Sequence, residues 1–219
     1  MEPEIETVVL VHGLWLHGAA MLVMKRRIAR CGYRVKTYSY PTVRLDLDQN
    51  GERLARYCAA LPGAKIHFVA HSMGGLVAIR AAEALPVARI GRLVLLGTPF
   101  QDSFSARRVQ RFPGGDAIIG RCMGQWLTCT RAGPAALDLG VIAGLGRLGL
   151  GRLVAHRLPQ PNDGVVSVEE TRVPGMRDHV VLRVSHTLML VSRDVVHQVC
   201  AFLAHGKFDR AHAASASLN

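Results

Sequence analysis

Short apolar runs alternate with helix-like stretches along most of this chain, and that rhythm limits what it can fold into. TVVLVHG, from Thr7 to Gly13, is β-branched and ends in glycine, so it reads as a buried strand. A helical stretch from Ala19 to Arg30 follows and stops at Cys31-Gly32. The pattern repeats with a strand over Tyr33 to Tyr40, a helix over Leu47 to Leu61, a strand over Lys65 to Ser72, a helix over Met73 to Leu85 and a strand over Arg92 to Pro99. Further strands are expected at Leu139 to Gly144 and His179 to His186, with a last helix reaching His205. Buried strands separated by helices predict an α/β fold, a mostly parallel sheet of about six strands with helices on both faces. Ligands of such open sheets sit beyond the carboxyl ends of the strands. The residues just after each strand are therefore the ones to inspect.

The chain has 219 residues, enough for one domain, placed at residues 1–206. Phe100 to Asp138 departs most from the rhythm and carries Phe100, Phe104, Phe112, Trp126 and Leu127, which suits a small cap over a pocket. Lys207 to Asn219 is small and polar and reads as a frayed tail.

Composition narrows the class. No apolar run is long enough to span a bilayer, and MEPEIET at the start lacks the basic residues of a signal peptide, so cytoplasm is the expected location. Cys31, Cys58, Cys122, Cys129 and Cys200 are odd in number and form no CxxC pair. Buried free thiols are expected, with a Cys122–Cys129 bridge as the alternative under oxidising conditions. The ten histidines are scattered without a ligand set, so no metal site and no cofactor are expected. A net charge of +11 favours anionic partners such as an acidic lipid surface or an acyl carrier. Nucleic acid is disfavoured, because no basic motif is interleaved with aromatics.

The strand ends carry the chemistry. In order they supply HGLWLHG, HSMGG, PNDGVVSVEET and SHTLML. That is a glycine turn with free amides, a serine, an acid and a histidine. Nucleophilic acyl transfer needs this set: a base to take the serine proton, a carboxylate to orient the base, and amides to meet the oxyanion. Ser72 is the candidate nucleophile, on a sharp strand-to-helix elbow of G-x-S-x-G type with Ala70 in the first glycine position. The plainer reading of Ser72 is a helix N-cap, but small residues on both sides favour the crowded elbow. His186 is the candidate base. Asp163 is the candidate acid, although Pro-Asn-Asp-Gly is also common turn chemistry; Glu169 and Glu170 stand behind it, and Asp178 lies before the last strand. The amides of Leu14 and Met73 are the candidate oxyanion donors. Trp15, His71 and Phe100 are candidates for the pocket wall, with a supporting role as the alternative for His71. Gly144, Gly146 and Gly149 spell a G-x-G-x-x-G that lies late in the chain, in a stretch too glycine-rich for a firm helix; a flexible basic loop is the better reading.

With VHGLW, AHSMGG, NDGVVSVEET and SHTLML in this order, the chain resembles the α/β-hydrolase superfamily, and within it small bacterial serine esterases and lipases. The likeness runs from Val8 to Leu203. It implies ester hydrolysis through an acyl-enzyme on Ser72, without a cofactor. The chain opens directly on the strand bearing the HG turn, so the two strands that usually precede it in the family are not expected, and the short segment available for a lid suits a compact, open esterase. A thioesterase or acyltransferase would use the same triad. A hydrolase-fold protein that only binds a lipid or acyl carrier is the alternative outside enzymes. Oligomeric state stays open.

Overall fold

Strand β1 (Thr7–Val11) divides its side chains between two cores. Val9 and Val11 enter one apolar cluster and Val8 and Leu10 the other, because successive strand residues point to opposite faces. The structure, a computed structural model, describes residues 5–129, 133–134, 137–146 and 158–215. Five more strands join β1: β2 (Arg34–Tyr38), β3 (Ile66–His71), β4 (Ile90–Leu96), β5 (Asp138–Gly144) and β6 (Asp178–Leu182). They form one six-stranded sheet in the order β2-β1-β3-β4-β5-β6, parallel at every pairing. The parallel α/β sheet expected from the alternating runs is what the chain forms.

Helices cover both faces. On one side lie α1 (Leu22–Ala29) and α6 (Arg193–His205), where Met24, Ile28, Val195, Val199 and Phe202 fill the second cluster. On the other side lie α2 (Leu47–Ala59) and α3 (Met73–Glu83), with Leu54, Cys58, Leu76 and Val77 in the first. Asp46 and Gln49 close a reciprocal capping box at the start of α2.

The segment expected to be a cap holds two helices, α4 (Phe104–Gln110) and α5 (Gly115–Thr128). They are docked against the body: the Gln125 amide oxygen accepts from the backbone N–H groups of Leu47 and Asp48, and the Trp126 indole donates to the Pro99 carbonyl. Ser103 caps α4.

Three expectations need correcting. The last strand stops at Leu182, so His186 lies on the loop beyond it rather than at a strand end. Within the segment read as a frayed tail, Arg210–Ser215 form helix α7, with Phe208 buried and the Gln198 amide bonded to Asp209 in both directions; residues 216–219 lie outside the described residues. Cys31 and Cys200 are joined by a disulfide with 6.5 Å between their Cα atoms, so only Cys58, Cys122 and Cys129 are free thiols. Sequence spacing could not pair two cysteines 169 residues apart. Burial pushes the Cys58 and Cys122 thiols up to about 12, which makes both inert. The glycine-rich stretch from residue 147 to 157 lies outside the described residues, Gly149 included; Gly144 ends β5, and the Gly146 amide bonds to the Val184 carbonyl.

Candidate active site

β3 runs straight into α3, and the turn between them is Ser72. Its φ of 54° and ψ of −132° lie where non-glycine residues are rarely found, the conformation of a strained elbow rather than an ordinary cap. The side chain makes no capping bond to its own helix. Neighbours hold the elbow in place: the Ser72 amide donates to the Leu96 carbonyl at 2.8 Å, and the Ser72 carbonyl accepts from the Thr98 hydroxyl at 2.9 Å. Close packing explains the small residues around it. A Cβ on Gly74 would stand 2.3 Å from the His12 carbonyl oxygen, so no larger residue fits between α3 and the end of β1. Ala70 is fully buried on the opposite side of the elbow.

The loops after β5 and β6 bring an acid to a base. The His186 Nδ1–H donates to Asp163 Oδ2 at 2.7 Å, and the His186 amide donates to the Asp163 carbonyl at 3.0 Å. Asp163 is 1% exposed, and its other carboxylate oxygen accepts from the amides of Val165 and Val166 at 2.9 and 2.8 Å. The turn chemistry of Pro-Asn-Asp-Gly and the role of partner to His186 are therefore served by one residue, one oxygen for each. The rivals are engaged elsewhere. Asp178 accepts from the Phe208 amide and pairs with Arg210 at the far edge of the sheet, and Glu169 pairs with Arg172 at the surface. Glu170 is buried and accepts from the amides of Ser167 and Phe104, fastening the acid loop to the start of α4. Burial pushes its carboxyl up, and those donors pull it back down.

His71 links the two halves of the site. Its Nε2–H donates to the His186 carbonyl at 2.9 Å, and the two imidazole rings lie 4.6 Å apart, between centroids. Because a carbonyl can only accept, Nε2 carries the proton. Burial, with the neighbouring His186 as the next cause, lowers the His71 pKa to about 3, so the ring stays neutral. At 2% exposure His71 offers nothing to a substrate, and the supporting role replaces the pocket-wall one. Phe100 is 1% exposed and packs against Trp126 with ring centroids 5.2 Å apart; both rings line a small cavity with Leu76 and Ile79.

The glycine turn after β1 is packed by His12, which flanks it in the sequence, and pinned by Tyr40, which the sequence did not single out. Tyr40 stacks on His12 at 4.6 Å, its hydroxyl donates to the His12 carbonyl, and its amide donates to His12 Nε2. The same imidazole donates through Nδ1 to the Gly13 carbonyl. The turn abuts the elbow, since a Cβ on Gly13 would lie 2.9 Å from that of Ser72. Leu14 follows Gly13, and Met73 is the first residue of α3, where an amide has no acceptor within its helix. Trp15 is 63% exposed beside the turn. Among the described residues, no three His, Cys, Asp or Glu side chains gather as a metal site.

The family model for the alpha/beta hydrolase family matches residues 8–217. The chain belongs to the alpha/beta hydrolase family. Solved hydrolases share its fold. A Bacillus licheniformis lipase in mature form superposes with a TM-score of 0.74 at 20% identity, over 94% of this chain and 93% of that one. A metagenomic carboxyl esterase gives a TM-score of 0.63 at 19% identity, over 100% of this chain and 75% of that one. The carboxylesterase CesB of Bacillus subtilis gives 0.58 at 12% identity, over 92% and 84%. No curated protein sequence matches this hydrolase.

Proposed function

We propose that this hydrolase cleaves carboxylic esters through an acyl-enzyme on Ser72. The observation that carries the reading is the buried 2.7 Å bond between Asp163 and His186, on loops at the same sheet edge as the strained Ser72 elbow. His186 takes the Ser72 proton as the hydroxyl attacks the ester carbonyl, and Asp163 holds the imidazole in the tautomer that leaves Nε2 free to accept it. The tetrahedral oxyanion is met by the amides of Leu14 and Met73. Collapse expels the alcohol, which receives the proton from His186. Water, deprotonated by the same imidazole, then releases the acid. Exposed Ile118, on α5 beside the glycine turn, offers apolar surface for an acyl chain. A small-molecule ester or lipid is the substrate class, and the +11 charge suits one presented on an anionic surface or carrier.

Fluorophosphonate labelling tests the assignment. The wild type should label at one serine and Ser72→Ala should not; equal labelling of both would remove Ser72 from the mechanism. A rate profile over p-nitrophenyl esters of increasing chain length, with a thioester as competitor, then sets the acyl preference and the leaving group.

A further inference from the structure

Helix α5 is broken in its middle. Gly120 has φ 73° and ψ 173°, far from helical values. A break of this kind frees backbone groups that would otherwise pair along the helix. Two such groups reach out of the cap. The carbonyl of Ile118 accepts from the indole N–H of Trp15 at 2.9 Å, and the amide of Arg121 donates to the carbonyl of Val43 at 3.0 Å. Gly120 itself rests on Val43, where a Cβ would come within 2.4 Å of the Val43 Cα.

Trp15 is held from a second side. Its own amide donates to the hydroxyl of Thr42, a buried residue, at 3.3 Å. Between these two bonds Trp15 keeps a φ of 60°, in the left-handed region that a bulky side chain avoids. Such a conformation persists only where its surroundings over-determine it, and it clusters at functional sites. The residue before it is Leu14, and the turn before that is fixed to β2 and its following loop by Tyr40. The indole proton is spent on Ile118 and is not available to a substrate.

We infer that Trp15 is a positioning residue for the oxyanion site. Braced between Thr42 and Ile118, it sets the turn that carries Leu14 and couples the seat of the cap to the catalytic edge of the sheet. The inference rests on the ester-hydrolase reading above. It differs from a pocket-wall role in where the effect appears: a wall residue acts on substrate binding, whereas a misplaced oxyanion donor acts on the transition state.

The test uses the full chain as wild type, Trp15→Phe, Thr42→Val and Thr42→Ser, with Tm measured for each. The readouts are kcat and KM on p-nitrophenyl butyrate and inhibition by an alkyl trifluoromethyl ketone, whose serine adduct mimics the oxyanion. Trp15→Phe and Thr42→Val should lower kcat by about tenfold to a hundredfold with KM within about twofold, the cost of a small misplacement at a reacting centre. The ketone should weaken by the same factor as kcat/KM. Thr42→Ser keeps the acceptor and should restore wild-type behaviour. Combined, Trp15→Phe and Thr42→Val should cost less than the product of the single losses, because both release one brace. Unchanged kcat in both single variants, or a loss confined to KM, overturns the inference while leaving Ser72 labelling intact. A wild type that neither labels nor turns over overturns the ester-hydrolase reading and this inference with it.

Discussion

His71 shows how one side chain can serve the candidate site without touching a substrate. Its ring is sealed in the core, donates to the backbone of His186 and stays neutral down to about pH 3. The unfolded chain has no such constraint and protonates its histidine near 6.5. Between these values the unfolded state binds more protons, so stability rises with pH there and falls on acidification. His71 therefore withdraws stability from about pH 6.5 down toward pH 3, at about 1.4 kcal/mol per unit. His12, His67 and His179, also lowered by burial, act in the same sense, and Glu170, raised by burial, acts in the opposite one. Urea midpoints at pH 5 and pH 7 should differ markedly for the wild type and less for His71→Gln, which keeps an N–H donor and loses the titration. An unchanged pH difference in that variant would show that His71 is not the source. At this scale Ser72, Asp163 and His186 could be nominated from sequence, since residue type and order express the chemistry directly. Sequence order already favoured Asp163 over Asp178, Glu169 and Glu170, and the fold supplies the contact itself, the bond from His186 to Asp163. The burial of His71 was hidden from the sequence, because whether a residue next to a strand end faces solvent depends on what packs over it.

The α4–α5 segment, expected to be a cap, is the element that sequence described least. Its aromatic residues marked it as unusual, but Gly114 before α5 and Gly115, Gly120 and Gly124 within it blur helical periodicity. Their boundaries come from contacts outside the segment: Glu170 receives the first amide of α4, and Val43 and Trp15 receive the groups freed at Gly120. Gly120→Ala tests this dependence. The new methyl meets the Val43 backbone and the positive φ disfavours any side chain, so the variant should lose about 1–3 kcal/mol in urea unfolding. The Arg121 amide, now bonded to Val43, should exchange faster with solvent. Wild-type stability and exchange would mean that α5 can straighten without cost.

At the scale of the molecule, the Cys31–Cys200 bond ties the end of α1 to α6 across a sequence separation of 169 residues. Disulfides persist in oxidising compartments and are rare in the cytosol, so the bond runs against the cytoplasmic location expected from the N-terminal residues. No helix among the described residues is long and apolar enough to cross a membrane. Denatured without reductant, the protein should titrate three thiols, and five after reduction. Replacing Cys31 and Cys200 by serine should cost about 2–5 kcal/mol, and dithiothreitol should bring the wild type to the same urea midpoint. Five thiols without reductant would exclude the bond. The sequence by itself determined the parallel sheet, the order of its strands along the chain, and the residue types gathered at their carboxyl ends. Those follow from periodicity and turn chemistry, which act between near neighbours. Only the tertiary structure decided which acid meets His186, which cysteines pair, and what braces Trp15. Each of these joins segments far apart in the chain, and their distance is set by packing across the whole sheet.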